Sequence, residues 1–127
     1  MRKTITMVIL LVLQFEAIFL RHPATYMVGD DFGWDLVIDM ETWPVGKTFY
    51  AGDFLVFKYD EQRFDVAIVD RAGHDSCSVS PGAQVFDSGN DKIQLVFGAN
   101  YFIDTEADVC AGGMKMAINA TAPPPSV

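Results

Sequence analysis

Cys110 and Met114 are the residues that most resemble part of a metal site, because they lie close together within the stretch 101–116. A thiolate and a thioether are soft ligands, which suits copper. A copper site of this kind also needs imidazoles, and the chain contains only His22 and His74. His22 lies near an expected cleavage site, and His74 lies in a segment predicted to be an exposed loop. Cys110 is therefore not expected to bind metal.

Carboxylates form the second candidate group, since Asp104, Glu106 and Asp108 alternate along one segment and Asp65 is expected near them. Alternating carboxylates could bind calcium, but the turn glycine and closing glutamate of a dedicated calcium loop are missing. The segment is predicted to be a solvated acidic rim, with a weak hard-cation site as the alternative. No nucleophile or acid–base pair is recognisable, so no enzymatic activity, metal or cofactor is expected.

The N-terminal residues 1–23 are predicted to be a secretory signal peptide. Arg2 and Lys3 precede an apolar run over residues 5–20, which is too short for a confident membrane span. Glu16 interrupts that run, so an uncleaved anchor or a buried helix is the alternative. The folded domain is expected over residues 24–119, followed by a Pro-rich tail over residues 120–127.

The 127-residue length suits a single domain, which we expect to be a monomer. Its formal net charge of −8 excludes nucleic-acid binding through phosphates, which requires a positive surface. The tail carries no second hydrophobic stretch, so no glycolipid anchor is expected, and membrane association is predicted to be peripheral or absent. Cys77 and Cys110 are the only cysteines. In an exported chain an even count is most simply one disulfide, here worth about 3.5–4 kcal/mol.

Short β-rich runs separated by Gly, Asp, Asn and Pro predict about seven strands. Their spacing is typical of an antiparallel sandwich or barrel. Trp34 and Trp43 are expected to pack on the core of this domain. The segment 74–83 is predicted to be a loop or a single helical turn. Asn119 begins an Asn-Ala-Thr triplet, which is an acceptor for N-linked glycan in an exported chain.

Several motifs occur together in the order found in a known family. They are YMVGDDFGW at 26–34, KTFYAGDFLVFKY at 47–59, DSC at 75–77, DSGND at 87–91, NYFI at 100–103 and CAGGMKMAI at 110–118. This set resembles the phytocyanins, which are secreted plant cupredoxins. The resemblance implies an all-β, cupredoxin-like Greek-key β-sandwich with one disulfide, between Cys77 and Cys110.

The resemblance also implies where copper ligands would lie. The positions of the family's two histidines, its cysteine and its axial ligand fall here on Phe64, Val109, Asp104 and Met114. A type 1 copper site needs two imidazoles and a thiolate in a plane. Only Met114 could still serve, so these are degenerate copper positions. In this respect the chain is similar to the copper-lacking, early nodulin-like members.

The function implied is a secreted, extracellular protein of the apoplast or the outer face of the plasma membrane. Its role would be binding or structural, with a cell-wall glycan or glycoprotein as partner. Phe64 and Val109 are expected to make the former copper end more apolar. The alternatives are a blue-copper electron-transfer protein with an unrecognised ligand set, and a degraded relative with no separate activity.

Overall fold

The computed structural model describes residues 22–125, so nearly all of the expected signal peptide lies outside the described residues. Within that range, no helix is both long and apolar enough to cross a membrane. The helical elements are a 3-10 turn (Asp30–Phe32), α1 (Arg71–Ser76) and α2 (Ala107–Ala111). The strands are β1 (Thr25–Met27), β2 (Phe49–Tyr50), β3 (Phe54–Lys58), β4 (Val66–Val69), β5 (Val85–Phe86), β6 (Asn90–Gln94), β7 (Gly98–Ile103) and β8 (Lys115–Thr121).

The strands form two sheets, which confirms the predicted cupredoxin-like β-sandwich. One sheet has the order β1-β3-β6, and the other has the order β2-β8-β7-β4-β5. The expectation of purely antiparallel sheets is wrong, because β1 pairs with β3, and β2 with β8, in parallel. The chain leaves β1 and contributes β2 to the other sheet before β3 returns, and this crossover makes the pairing parallel.

Strand β8 illustrates how alternation along the sequence builds the sandwich. Met116, Ile118 and Ala120 point into the core, while Asn119 between them is exposed. The strand continues to Thr121, past the expected end of the domain at residue 119. Ala120 pairs with Phe49 of β2 and is 1% exposed, so it belongs to the core rather than to a tail.

The core is built around aromatic side chains, and the predicted burial of Trp34 and Trp43 is confirmed at 0% and 7% exposure. Trp34 meets Phe57 edge to face with ring centroids 5.2 Å apart, and Phe57 lies 5.2 Å from Phe102. Phe57 comes from one sheet and Phe102 from the other. The tilted contact between Phe57 and Phe102 therefore joins the two layers of the sandwich.

The predicted disulfide between Cys77 and Cys110 is confirmed, with Cα atoms 5.7 Å apart. Cys77 ends α1 in a left-handed conformation with φ 51°, and Cys110 lies in α2. Cys110 packs with Ala67 of β4 and Ile103 of β7. The bond therefore holds both short helices on the five-stranded sheet.

Candidate functional site

The four residues at the expected copper positions lie close together at one end of the sandwich. Phe64 precedes β4, Asp104 follows β7 and Met114 precedes β8. Since β7 pairs antiparallel with both β4 and β8, the end of β7 meets the starts of its two neighbours. The Asp104 N–H donates to the Met114 carbonyl at 2.9 Å, and the Met114 N–H donates to the Val109 carbonyl at 3.2 Å.

Three of these four side chains are part of the apolar core. Phe64 is 5% exposed and Met114 is fully buried, while half-buried Val109 packs against the same cluster. The Arg63 guanidinium carbon lies 4.6 Å from the Phe64 ring centroid, which covers the ring with a cation. Phenyl and isopropyl groups carry no donor atom, so these positions contribute packing.

Asp104 has a different role, because its carboxylate is 2% exposed and binds backbone. It accepts hydrogen bonds from the N–H groups of Asp65 at 3.0 Å and Glu106 at 2.9 Å. In return, the Asp65 carboxylate accepts from the Thr105 N–H at 2.8 Å and from the Thr105 hydroxyl. We call this reciprocal arrangement of Asp65 and Asp104 the carboxylate clamp. It ties the chain before β4 to the chain after β7.

The clamp sets the electrostatics at this end of the molecule. Burial raises the pKa of Asp104 above the ordinary value of 3.8, although its two backbone N–H donors act in the opposite direction. The charges of Asp65 and Glu106 raise the pKa further. A buried carboxylate with this pattern favours protonation more than an exposed one does.

A cavity of about 220 Å³ opens beside Phe64 and the carboxylate clamp. Its lining is mostly polar or charged: Glu61, Gln62, Arg63, Phe64, Asp65, Asp87, Asp104, Thr105 and Glu106. We refer to it as the acidic cavity. Because Phe64 is buried, the surface on this side of the former copper end is acidic rather than apolar.

The alternating carboxylates do not converge on a cation position. Among residues 22–125, no group of three His, Cys, Asp or Glu side chains could hold a metal ion. Both oxygens of Asp104 already accept backbone hydrogen bonds, and Asp108 lies in α2 rather than on an open loop. The alternative of a weak calcium site at Asp104, Glu106, Asp108 and Asp65 therefore has no coordinating geometry.

A groove of about 440 Å³ lies beside the end of α2 and the turn that follows it. Its lining contains apolar side chains, two glycines and three charged side chains. The lining residues are Leu36, Val37, Ile38, Asp39, Glu41, Ala111, Gly112, Gly113 and Lys115. We call it the side groove. Leu36 and Val37 are 40% and 64% exposed, so the groove presents apolar surface to solvent. A methyl group added at Gly112 would already lie 3.8 Å from the Leu36 side chain.

His74 is buried rather than exposed, which corrects the expectation of a solvated loop histidine. It lies in α1 and is 8% exposed. Its Nδ1 lies 2.8 Å from the Asp75 carboxylate and its Nε2 lies 2.8 Å from the Glu41 carboxylate, and the Nε2 contact lacks hydrogen-bond alignment. The Asp70 side chain caps α1 by accepting the Gly73 N–H, and this short helix runs into the segment expected to be a loop or a single helical turn. His74 thus joins α1 to the wall of the side groove.

Asn119, the predicted glycosylation residue, is exposed on the outer face of β8. Its cross-strand partner is the exposed Ala99 of β7, so the neighbouring surface is flat. This position is accessible to a glycan, and its glycosylation remains a prediction.

Sequence reasoning missed the reciprocal clamp and the side groove. The clamp had a local signature: Asp104 bonds the N–H two residues ahead, which is an Asx turn that the triplet Asp-Thr-Glu favours. The partnership with Asp65 had no such signature, because it depends on the pairing of β4 with β7. The side groove likewise joins two segments that are distant in sequence.

The chain matches the family model described as "Plastocyanin-like domain" over residues 34–114. It is 55% identical over 106 residues to early nodulin-like protein 22 of Arabidopsis thaliana, covering 83% of this chain and 76% of that protein. It is 46% identical over 99 residues to chemocyanin of Lilium longiflorum, covering 78% and 77% respectively. Among solved structures, cucumber basic protein, a blue copper protein, matches with a TM-score of 0.72 and 42% identity. That match covers 76% of this chain and 99% of the cucumber protein.

Proposed function

Because the chain belongs to the phytocyanin family, we propose that it is a copper-free member that acts outside the cell by recognition rather than electron transfer. One observation carries the first half of this proposal. The positions that correspond to the copper ligands adjoin one another, yet they hold Phe64, Asp104, Val109 and Met114. The fold is retained, while the donor atoms of a blue copper site are missing.

The residues present do not fit type 1 copper. Such a site places two imidazole nitrogens and a thiolate around the metal, with a weak axial ligand. Here the corresponding side chains are a phenyl group, an isopropyl group and a carboxylate whose two oxygens are occupied by backbone N–H groups. A buried thioether alone does not provide a copper site. The proposed role is therefore recognition and does not involve electron transfer by type 1 copper.

Restoring the copper ligands by mutation tests the proposal that the protein is copper-free. The variant Phe64→His/Asp104→Cys/Val109→His, with Met114 unchanged, is expected to bind Cu(II) and show the thiolate charge-transfer band of a blue protein. The control Phe64→His/Val109→His lacks the thiolate and should remain without that band. The native protein should retain no copper after gel filtration. A native protein that becomes blue with stoichiometric copper would instead establish the alternative, an electron carrier like the cucumber protein.

The proposed extracellular location of the protein is supported by two observations. The Cys77–Cys110 disulfide belongs to an oxidising compartment. The basic and apolar sequence at the N-terminus is typical of a secretory leader. Expression of the full chain with detection of the protein in the medium, in the cell wall or on the cell surface would test this point. Retention of reduced protein in the cytosol would contradict it.

The side groove is the proposed recognition site, and a cell-wall glycan or the glycan of a glycoprotein is the proposed ligand. Sugars present both C–H faces and hydroxyl groups, so they require apolar contact together with a few fixed polar groups. Leu36 and Val37 supply the apolar wall, and Glu41 is held in place by its contact with His74. Lys115 reaches the His74 carbonyl at 3.5 Å and adds a cation.

The proposed glycan recognition is tested by measuring binding to an array of plant cell-wall oligosaccharides. Each oligosaccharide that binds is then titrated. Specific, saturable binding is expected, and Leu36→Ser/Val37→Ser should weaken it by at least about tenfold because the apolar wall is lost. Val45→Ser is the matched control, since Val45 is 77% exposed and does not line the groove. Absence of saturable binding, or an equal loss in the control, would favour a relative with no separate activity.

A further inference from the structure

The turn between β6 and β7 presents two consecutive large apolar side chains to solvent. Val96 is 64% exposed and Phe97 is 71% exposed. A single exposed apolar residue is ordinary on a protein surface, but an adjacent Val–Phe pair at a projecting turn is a concentrated apolar tip. We call this pair the apolar tip.

The apolar tip is held in a fixed shape. The carboxamide of Asn100, itself 8% exposed, donates to the Val96 carbonyl at 2.9 Å and to the Gly98 carbonyl at 3.0 Å. Its oxygen accepts the Val96 N–H at 3.0 Å. Gly98 has φ +93°, a conformation that favours glycine. The side chains of Val96 and Phe97 are therefore presented without a large ordering cost on binding.

The end of the sandwich that carries the tip has almost no charge. It comprises Ala24 and the segments 50–54, 94–98 and 120–121, and we call it the neutral end; Asn119, the predicted glycosylation residue, lies on the outer face of β8 and outside this set. Its only formal charge is Asp53, which is fully buried. The nearby Lys92 lies over the Phe54 ring, 4.5 Å from the centroid. Because β7 runs from the neutral end to the carboxylate clamp, the acidic cavity lies at the opposite end of the molecule.

The chain also enters the domain at the neutral end. Asp53 accepts the Ala24 N–H through its side chain at 2.9 Å and the Leu95 N–H through its carbonyl at 2.8 Å. Asp53 therefore contacts both Ala24 and Leu95, and Leu95 directly precedes the apolar tip. The C-terminal end of β8 lies there as well, since the Ala51 N–H donates to the Thr121 carbonyl at 2.8 Å.

We propose that the neutral end is a docking surface for a lipid bilayer with no net charge, and that Val96 and Phe97 enter its interface. The apolar pair supplies the insertion, and the scarcity of charge around it keeps the desolvation cost of docking small. The chain's formal net charge is −8, and its acidic residues in the described range, other than buried Asp53, lie away from this end, so an anionic bilayer would repel the protein while a zwitterionic one would not. In this orientation the acidic cavity and the side groove face away from the lipid.

Site-specific labelling tests the docking at the apolar tip itself rather than through total vesicle binding. Val96→Cys is made in the full chain and labelled with an environment-sensitive fluorophore, because both native cysteines are joined. Val45→Cys, at the more exposed position, carries the same label as a matched control. Phosphatidylcholine vesicles, with and without brominated acyl chains, are then added.

The expected result is a blue shift and bromine quenching at position 96, with neither at position 45. In unlabelled protein, Phe97→Ser should lower the partition coefficient onto these vesicles roughly tenfold, as expected for one aromatic side chain at an interface. A label at position 96 that stays in water on vesicle-bound protein would overturn the proposal, and so would absence of vesicle binding. Lipid-free self-association that Phe97→Ser abolishes would assign the tip to a second copy of the chain instead.

Discussion

Replacement of Asp104 is the sharpest test of how the carboxylate clamp holds this end of the sandwich together. The carboxylate is 2% exposed and closes the chain after β7 by accepting two backbone N–H groups. Asp104→Ala would leave both donors without an acceptor. Asp104→Asn would keep one acceptor oxygen and place an amide group where the second oxygen lies.

The magnitude follows from these contacts. Each donor left unsatisfied costs about 1–3 kcal/mol, and partial solvent access places these two near the lower bound. Burial of the charged carboxylate opposes the loss, because it raises the pKa of Asp104 and so disfavours the ionised form. We expect Asp104→Ala to lower the free energy of unfolding by about 1–3 kcal/mol at pH 7, and Asp104→Asn by about 1 kcal/mol.

The pKa direction adds a pH dependence with a definite sign. Since the pKa of Asp104 is raised above 3.8 in the folded protein, the folded state keeps this proton where the unfolded state has lost it. The contribution of this group to stability is therefore largest at low pH and falls as the pH rises from 3.8 through the folded-state value. Asn does not ionise, so the advantage of the native protein over Asp104→Asn should shrink between pH 4 and pH 7.

Urea unfolding with the disulfide intact, followed by the fluorescence of Trp34 and Trp43, measures these differences. Asp108→Ala on the neighbouring helix is the control, because the exposed side chain there should change stability by no more than about 0.5 kcal/mol. The reasoning fails if Asp104→Ala matches the control. It also fails if the advantage of the native protein over Asp104→Asn grows with pH.

Three further outcomes are expected. Cys77→Ser/Cys110→Ser should lower the free energy of unfolding by about 3.5–4 kcal/mol in urea titrations, since the bond closes a long loop, and an unchanged midpoint would contradict this. In a glycosylating host, Asn119→Gln should reduce the apparent mass of the secreted protein by one glycan, and endoglycosidase should give the native protein the same mobility; identical untreated mobilities would exclude the site. Gly29→Ala should destabilise the domain by about 2–4 kcal/mol in thermal unfolding, because its φ is +75° and the new methyl carbon would lie 2.0 Å from a backbone oxygen. Gly46→Ala, with φ +83° and nothing within 4 Å, should cost only about 1 kcal/mol, and equal losses would argue against the clash.

Local patterns in the sequence predicted much of the sandwich. The alternation of apolar and polar residues in 114–119 marks β8, and the Gly52-Asp53 pair marks the turn between β2 and β3. Both features act over a few residues, so they are readable without knowledge of the fold. The disulfide was also predictable, since the chain contains only two cysteines.

Other features depend on contacts between distant parts of the chain. The parallel pairing of β2 with β8 joins residues about 70 positions apart, and no local pattern specifies it. His74 was misplaced because its burial depends on Glu41, from a segment without regular structure. The resemblance to the phytocyanins implied the four copper positions, but it did not reveal that Asp104 would accept the Asp65 N–H.

The position of β8 in the sheet determines how late in its synthesis the chain can complete its fold. This strand lies between β2 and β7 in the five-stranded sheet, yet it is the last element of the described chain. As the chain emerges during synthesis or translocation, β2 has no neighbour in that sheet until residues 115–121 arrive. Cys110 also precedes β8 by only a few residues. Folding is therefore expected to be a late, nearly all-or-none event, which coincides with disulfide formation and requires protection of the incomplete sheet until then.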